Sequence, residues 1–71
     1  MTDTKKLREA IKGRGVSFAF IAEKIGMSRQ GFCKKLEDNS DFKAYQMFII
    51  KDLLRLTNEE ARDIFFKPEV D

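Results

Sequence analysis

Residues 18–36 restrict the possible folds of this chain more than any other part of it. They contain two short helical patterns, interrupted at residues 26–28. Gly26 can adopt the left-handed conformation that ends a helix, and the Ser28 hydroxyl can cap the helix that follows. Two short helices joined so tightly must cross steeply, and Ala22 supplies the small residue that this crossing requires. The apolar residues that are spaced to fill the angle are Ile21, Ile25, Met27, Phe32 and Leu36.

These features predict a helix-turn-helix, in which the second helix lies in the major groove of DNA. In its first turn arginine can pair with guanine and glutamine with adenine. Cys33 is too small for strong base contact, and the alternative to base contact there is a redox role. For Ser28 the alternative to base contact is a purely capping role. For the remaining candidates, the alternative is that they are ordinary exposed polar residues. The candidates for base contact are Ser28, Arg29, Gln30, Cys33 and Lys34.

The same 3.6-residue spacing predicts three more helices, and no segment has the alternating pattern of a strand. The expected helices span about 4–12, 18–25, 29–36, 42–56 and 58–66, with a frayed tail at about 67–71. Thr57 and Glu60 have the spacing of a capping box at the start of the last helix. A chain of 71 residues has room for one domain. We therefore expect a single all-α, five-helix domain over residues 1–71.

The chain lacks the residue types that most enzymes and metal sites require. It has no histidine and one cysteine, which excludes imidazole chemistry, an internal disulfide and a thiolate zinc cluster. We expect no enzyme activity and no cofactor, metal or small-molecule substrate. The first residues are polar, and the longest apolar run, residues 47–50, is too short to span a membrane. These features predict a cytoplasmic protein.

The net charge of +2 hides an asymmetry between the two halves of the chain. Residues 1–36 contain nine basic and three acidic residues, whereas residues 37–71 contain five basic and nine acidic ones. A basic half suggests a surface that faces a polyanion such as DNA, and a chance division of charge is the alternative. The candidates for phosphate contact, with simple solvation as the competing interpretation, are Ser17, Lys35 and Lys43.

The segment IAEKIGMSRQGF, residues 21–32, resembles the helix-turn-helix of the Cro and lysogeny-repressor family of temperate phages. This resemblance covers about residues 4–66, and the whole chain is similar to the small Cro-like modulators of repression from phages of Gram-positive bacteria. The resemblance implies a lambda-repressor-like fold and a role in the lytic–lysogenic switch, with operator DNA as the partner inside the bacterial host cell. Many relatives carry an acidic or amide residue two positions before the alanine, where this chain has Phe20.

Phe20 is the basis of an alternative function. An exposed phenyl ring suits a protein partner better than a phosphate backbone. The resemblance to modulators of repression implies such a partner, the phage's own lysogeny repressor, whose DNA binding the chain would mask or modify. The residues expected to contact it are Phe20, Glu23 and Arg29. In the competing interpretation Phe20 folds back onto the first or fourth helix.

A homodimer is a further possibility that the sequence leaves open. Four large apolar residues near the end of the chain suit either a dimer patch or the core, because a small fold needs all its large side chains. These residues are Ile49, Ile50, Phe65 and Phe66.

Overall fold

All regular structure in residues 1–68, the part of the chain described by the computed structural model, is helical. Five helices follow in order: α1 Thr4–Gly13, α2 Phe18–Lys24, α3 Arg29–Glu37, α4 Ala44–Leu53 and α5 Asn58–Phe65. The expectation of an all-α domain is confirmed over this range. None of these helices is long and apolar enough to cross a membrane. Most of the predicted tail, residues 69–71, lies outside the described residues.

The core is formed by the inner faces of all five helices, together with residues from the turn after α2 and from the segments on either side of α4. Phe32 and Ile50 are fully buried, and Phe42 and Leu56 reach the core from positions just outside α4. The remaining core residues are Leu7, Ile11, Ile21, Ala22, Ile25, Leu36, Leu54, Ala61, Ile64 and Phe65. The predicted inner face of the 18–36 segment is therefore correct, although Met27 is only half-buried.

Four of the helices begin at a side chain that caps the first turn. Ser17, Ser28 and Thr57 accept hydrogen bonds from the backbone N–H three residues later, at distances of 3.0–3.1 Å. Asp3 caps α1 in the same way, through the Lys6 N–H. The predicted capping box is confirmed, because Glu60 Oε1 accepts from the Thr57 N–H at 2.9 Å.

Helices α1 to α4 end in one common geometry. A residue in the left-handed conformation follows each helix, and the next N–H donates to the carbonyl five residues earlier, which is the Schellman motif. Glycine occupies the left-handed position twice, with φ of +68° at Gly15 and +76° at Gly26. Non-glycine residues occupy it after α3 and α4, where Asn39 and Arg55 both have φ of +53°.

The predicted fourth helix is too long at both ends. Residues 42–56 were expected to be helical, but α4 spans only Ala44–Leu53. Lys43 has an extended conformation, and its N–H donates to the Gln46 side chain at 2.9 Å, so the helix begins after it. At the other end Leu54 and Leu56 are both buried. Two residues that are two positions apart cannot share one helix face, so the chain must turn between them, and Arg55 makes that turn.

The first four residues connect the α3–α4 loop to the end of α5. The Thr2 N–H donates to Asp41 Oδ1 at 2.7 Å, and Thr4 Oγ1 donates to Asn39 Oδ1 at 2.6 Å. On the other side the Asp3 N–H donates to the Ile64 carbonyl at 2.6 Å. The Thr2 hydrogen bond lowers the pKa of the Asp41 carboxyl, because it stabilises the ionised form.

Lys67 does not fray as the sequence pattern predicted. Its N–H donates to the Met1 carbonyl at 2.9 Å, and its ammonium group lies 3.7 Å from the Asp3 carboxylate. The first three residues therefore hold Lys67 in place beyond the end of α5.

Candidate nucleic-acid interface

The turn between α2 and α3 fixes how the two helices meet. Gly26 takes the left-handed conformation at φ +76°, and the Met27 N–H then donates to the Ala22 carbonyl at 2.8 Å. Ala22 itself is only 1% exposed. A larger side chain at this position would push against neighbouring core residues, so the small residue and the left-handed turn together set the approach of α3 to α2.

Aromatic packing holds the inner face of α3. The Phe32 ring lies 6.0 Å from Phe18 in an edge-on arrangement and 5.9 Å from Phe42. Phe42 continues the contact to Phe65 of α5, at 6.2 Å. Leu36, one turn after Phe32, is also buried. Because these contacts fix the rotation of α3 about its axis, they also determine which residues face outward.

The outer face of α3 carries the predicted base-contacting residues. Arg29, Gln30 and Lys34 are exposed, and Cys33 is half-buried. Gln30 and Lys34 are four residues apart, as are Arg29 and Cys33, so the four form two adjacent rows on one side of the helix. The structure therefore brings these predicted residues together on one surface.

Ser28 is exposed at the start of this face, where its hydroxyl accepts from the Gly31 N–H at 3.0 Å. A side chain at Gly31 would meet that hydroxyl, because a Cβ built there lies 3.0 Å from Ser28 Oγ. Glycine at position 31 thus leaves room for the cap. A hydroxyl that accepts one hydrogen bond still has its own proton to donate, so capping does not prevent Ser28 from contacting an anion.

Among the described residues, none of the positive charges of α3 forms an ion pair with an acidic side chain. The two ion pairs within residues 1–68 join Arg14 to Glu60 and Lys67 to Asp3, both at 3.7 Å. The only acidic residue of α3 is Glu37, at its last position, after Arg29, Lys34 and Lys35. The first two turns of α3 are therefore a positively charged, polar surface.

The three predicted phosphate contacts have different environments. Ser17 is exposed and caps α2 through the Phe20 N–H. Lys43 is exposed in the loop before α4. Lys35 is half-buried, with its ammonium 5.2 Å from the centre of the Phe42 ring. A cation over a ring face is stabilised there, so Lys35 is held more firmly than a freely solvated lysine.

Phe20 lies on the surface of α2. The residue is exposed, with 42% of its surface accessible, and the Lys24 ammonium lies 5.3 Å from the centre of its ring. Phe20 is therefore a partly accessible residue outside the core. Glu23 on the same helix and Arg29 at the start of α3 are also exposed. All three predicted protein-contacting residues are accessible to a partner.

The four residues suggested for either a dimer patch or the core differ in their exposure. Ile50 and Phe65 are buried in the core, Ile49 is half-buried, and Phe66 is 62% exposed. The sequence analysis did not single out two further exposed rings, Tyr45 at 54% and Phe48 at 72%. Phe48 and Phe66 lie beside an apolar groove between α4 and α5, which we call the α4–α5 groove. Its apolar lining residues are Ala44, Met47, Phe48, Ala61, Phe65 and Phe66.

Arg14 has a structural role that its sequence position does not indicate. Its Nε donates to the Leu54 carbonyl at 2.7 Å, which satisfies a carbonyl at the end of α4 that has no partner within that helix. The guanidinium also lies near Glu60 at the start of α5. A run of Gly-Arg-Gly suggests only a turn, so the contact could not be found without the position of α4.

Comparisons of the chain with protein-family models, with curated proteins and with solved structures found no match.

Proposed function

We propose that this chain is a transcriptional regulator that binds operator DNA through α3, within a lambda-repressor-like helix-turn-helix. The observation that carries the proposal is the outer face of α3. Arg29, Gln30 and Lys34 are exposed there side by side, and none of them forms an ion pair with an acidic side chain among the described residues. A rigid helix with a polar, cationic outer face suits the major groove.

Each group on this surface would have a distinct task. Arg29 can donate two hydrogen bonds to guanine, and Gln30 can pair with adenine, which gives base preference. Lys34 adds affinity through phosphates or a base edge. Phosphate contacts from Ser17 before α2, Lys35 within α3 and Lys43 before α4 would fix the orientation of α3. Cys33, half-buried and small, contributes contact area rather than base preference.

The biological setting follows from the resemblance of residues 18–36 to the phage motif. A small operator-binding protein of this kind would act in the lytic–lysogenic decision inside the bacterial host. The charge distribution agrees with this role, since residues 1–36, which include all of α3 except Glu37, carry nine basic and three acidic residues.

The test is selection of binding sites from a pool of random DNA duplexes, followed by affinity measurements over a range of salt concentrations. Arg29→Ala and Gln30→Ala should each lose about 1–3 kcal/mol of discrimination at particular base pairs. Lys34→Ala should weaken binding to all sequences and reduce the salt dependence. Arg62→Ala, which removes one exposed positive charge from α5, is the matched control. Failure to select any sequence, or equal effects of all four changes, would contradict the proposal.

The second candidate function is binding to the phage's lysogeny repressor, and the exposure of Phe20 favours it. A ring in this position gains nothing from phosphate. If a partner covers it, the exposed 42% of a side chain of roughly 200 Å² corresponds to about 2 kcal/mol. That value is more than the 1.4 kcal/mol of a tenfold change in affinity.

Calorimetric titration of the repressor into this chain tests the second candidate. Phe20→Ala should weaken the complex at least tenfold, while Phe66→Ala, which truncates an exposed ring just after α5, should leave it unchanged. Thermal melting of Phe20→Ala should show only a small loss, because the ring has one identified cation–π partner and leaves no core cavity. A complex that tolerates the Phe20 change would remove this candidate.

A further inference from the structure

The α4–α5 groove has one charged residue among its lining residues. Lys51 of α4 lies beside alanine, methionine and phenylalanine side chains that form the rest of the lining. It is half-buried, and neither of the two ion pairs within residues 1–68 involves it. A lysine stem lies along apolar surface while its ammonium stays in water, so the charge of Lys51 lies at the opening of the groove. The groove therefore combines an apolar recess with a positive charge at its edge.

We propose that the α4–α5 groove binds a small carboxylic acid, a free aromatic monocarboxylate with one ring. The ring would occupy the recess, and the carboxylate would lie beside the Lys51 ammonium. This site goes beyond the proposed DNA contact and does not depend on it, because its lining comes from α4, α5 and Phe66, whereas the candidate base contacts lie on and just before α3. The lining offers one amine and no carboxylate, thiol or hydroxyl group, so the ligand is bound and not transformed.

The volume of the groove sets the size of the apolar part of the ligand. It is about 130 Å³, and a protein cavity of about 150 Å³ binds benzene. Phe48, Phe65 and Phe66 supply three rings to the lining. A further ring packs favourably against such rings in an offset or edge-on arrangement. The recess therefore fits one phenyl ring.

The charges near the groove favour an anion as the ligand. Arg62 directly follows a lining alanine of α5, is exposed and forms no ion pair within residues 1–68. Of the four acidic residues between positions 42 and 68, Glu60 and Asp63 line a different groove, between α1 and α5. The other two, Asp52 and Glu59, are exposed and are not among the lining residues. A carboxylate at the opening therefore gains from Lys51, whereas an ammonium group would be repelled.

The exposure of the groove walls indicates weak and rapidly reversible binding. Phe48 is 72% exposed and Phe66 is 62% exposed, so the groove covers only part of a ligand. A ligand of about ten non-hydrogen atoms in such a site is expected to bind with a Kd of about 0.1–1 mM. Nuclear magnetic resonance measures affinities in this range and also locates the site.

The test is a titration of the isotope-labelled full chain with three probes that carry the same ring, namely phenylacetate, 2-phenylethanol and 2-phenylethylamine. All three should shift the amide resonances of residues that line the α4–α5 groove. Phenylacetate should bind at least threefold more tightly than the neutral alcohol, because only its carboxylate is attracted by Lys51. The amine should bind more weakly than the alcohol.

Changes at Lys51 test the role of the charge. Lys51→Met keeps an unbranched apolar stem, so it should reduce the affinity for phenylacetate to that for the alcohol and leave the alcohol unaffected. Lys51→Glu should reverse the order of the probes, with the amine binding most tightly. Lys12→Met makes the first change at an exposed lysine of α1, outside both grooves, and should alter none of the three affinities.

Filling the recess tests its role separately. Ala44 is an exposed lining residue at the start of α4, so Ala44→Leu should block the recess and weaken all three probes at least tenfold. Ala19→Leu makes the same change at an exposed alanine of α2 and should weaken none of them. Circular dichroism should show the same helix content for both variants, since neither alanine belongs to the core.

Four results would overturn the proposal. These are equal affinities for the three probes, shifts confined to residues of the groove between α1 and α5, retention of binding by Ala44→Leu, and no saturable shift up to about 10 mM, ten times the weakest expected Kd. Groove resonances that shift with protein concentration before any probe is added would also overturn it, because another copy of the chain would then cover the groove. Loss of operator binding with intact probe binding would count against the proposed function alone.

Discussion

Replacing Arg55 with glycine should stabilise this protein. Arg55 follows α4 in the left-handed conformation, with φ of +53°. A residue with a Cβ loses about 1–2 kcal/mol there, because the Cβ approaches the following carbonyl oxygen. Glycine avoids that cost but gives back about 0.5–1 kcal/mol through its greater freedom in the unfolded chain. The net expectation is a gain of about 0.5–1 kcal/mol.

The Arg55 side chain offers little to set against this gain. It is exposed, and no hydrogen bond or ion pair joins it to another residue in the range 1–68. For a domain of this size 1 kcal/mol corresponds to about 4–8 °C in melting temperature, so Arg55→Gly should melt roughly 2–8 °C higher. The assay is thermal unfolding followed by circular dichroism at neutral pH.

Two controls separate the backbone effect from loss of the side chain. Arg55→Ala removes the guanidinium but keeps the Cβ, so its melting temperature should stay close to that of the parent protein. Asn39→Gly changes the other non-glycine left-handed residue, and it should melt lower because it loses the hydrogen bond from Thr4 Oγ1. If Arg55→Gly melts at or below the parent temperature, the reasoning about left-handed strain is refuted.

Other outcomes follow from the packing and the hydrogen bonds. Ala22→Leu should cost about 1–3 kcal/mol by overpacking the α2–α3 crossing; a melt at the parent temperature would show that the crossing is placed wrongly. Arg14→Leu should cost about 1–3 kcal/mol in urea unfolding, since the Leu54 carbonyl loses its charged donor, and no change would mean that water replaces the contact fully. Stability should also fall with acid below about pH 5 and stay level from pH 6 to 8. Three carboxyls that accept backbone N–H groups have pKa values lowered from 3.8 or 4.5, so each stabilises the fold above its unfolded pKa and loses that effect as it is protonated. The three carboxyls belong to Asp3, Asp41 and Glu60. Melting temperatures measured at a series of pH values check this expectation, and a melting temperature that stays constant down to pH 3 would contradict it.

The starts of the helices could be predicted because their signals are local. A hydroxyl at Ser17, Ser28 or Thr57 reaches an N–H only three residues away, so its role depends on nearby sequence alone. Gly26 is similar, since few other residues accept its backbone conformation easily. The ends of α4 lacked such signals. Arginine is an unusual residue in the left-handed conformation, and Phe42 fits a helical pattern although it lies outside the helix.

The outward side of α3 could also be predicted, because the positions of Phe32 and Leu36 leave only one side free for Arg29, Gln30 and Lys34. Residue type at the helix starts thus determined three of the caps, and periodicity determined most of the core and the candidate DNA surface; each of these depends on neighbours within about one helical turn. Only the tertiary structure decided that Arg14 caps α4, that the first four residues join the α3–α4 loop to α5, and that Phe65 is buried while Phe48 is exposed. These outcomes depend on which segments meet in space, and two phenylalanines with the same chemistry differ only in what the fold places against them.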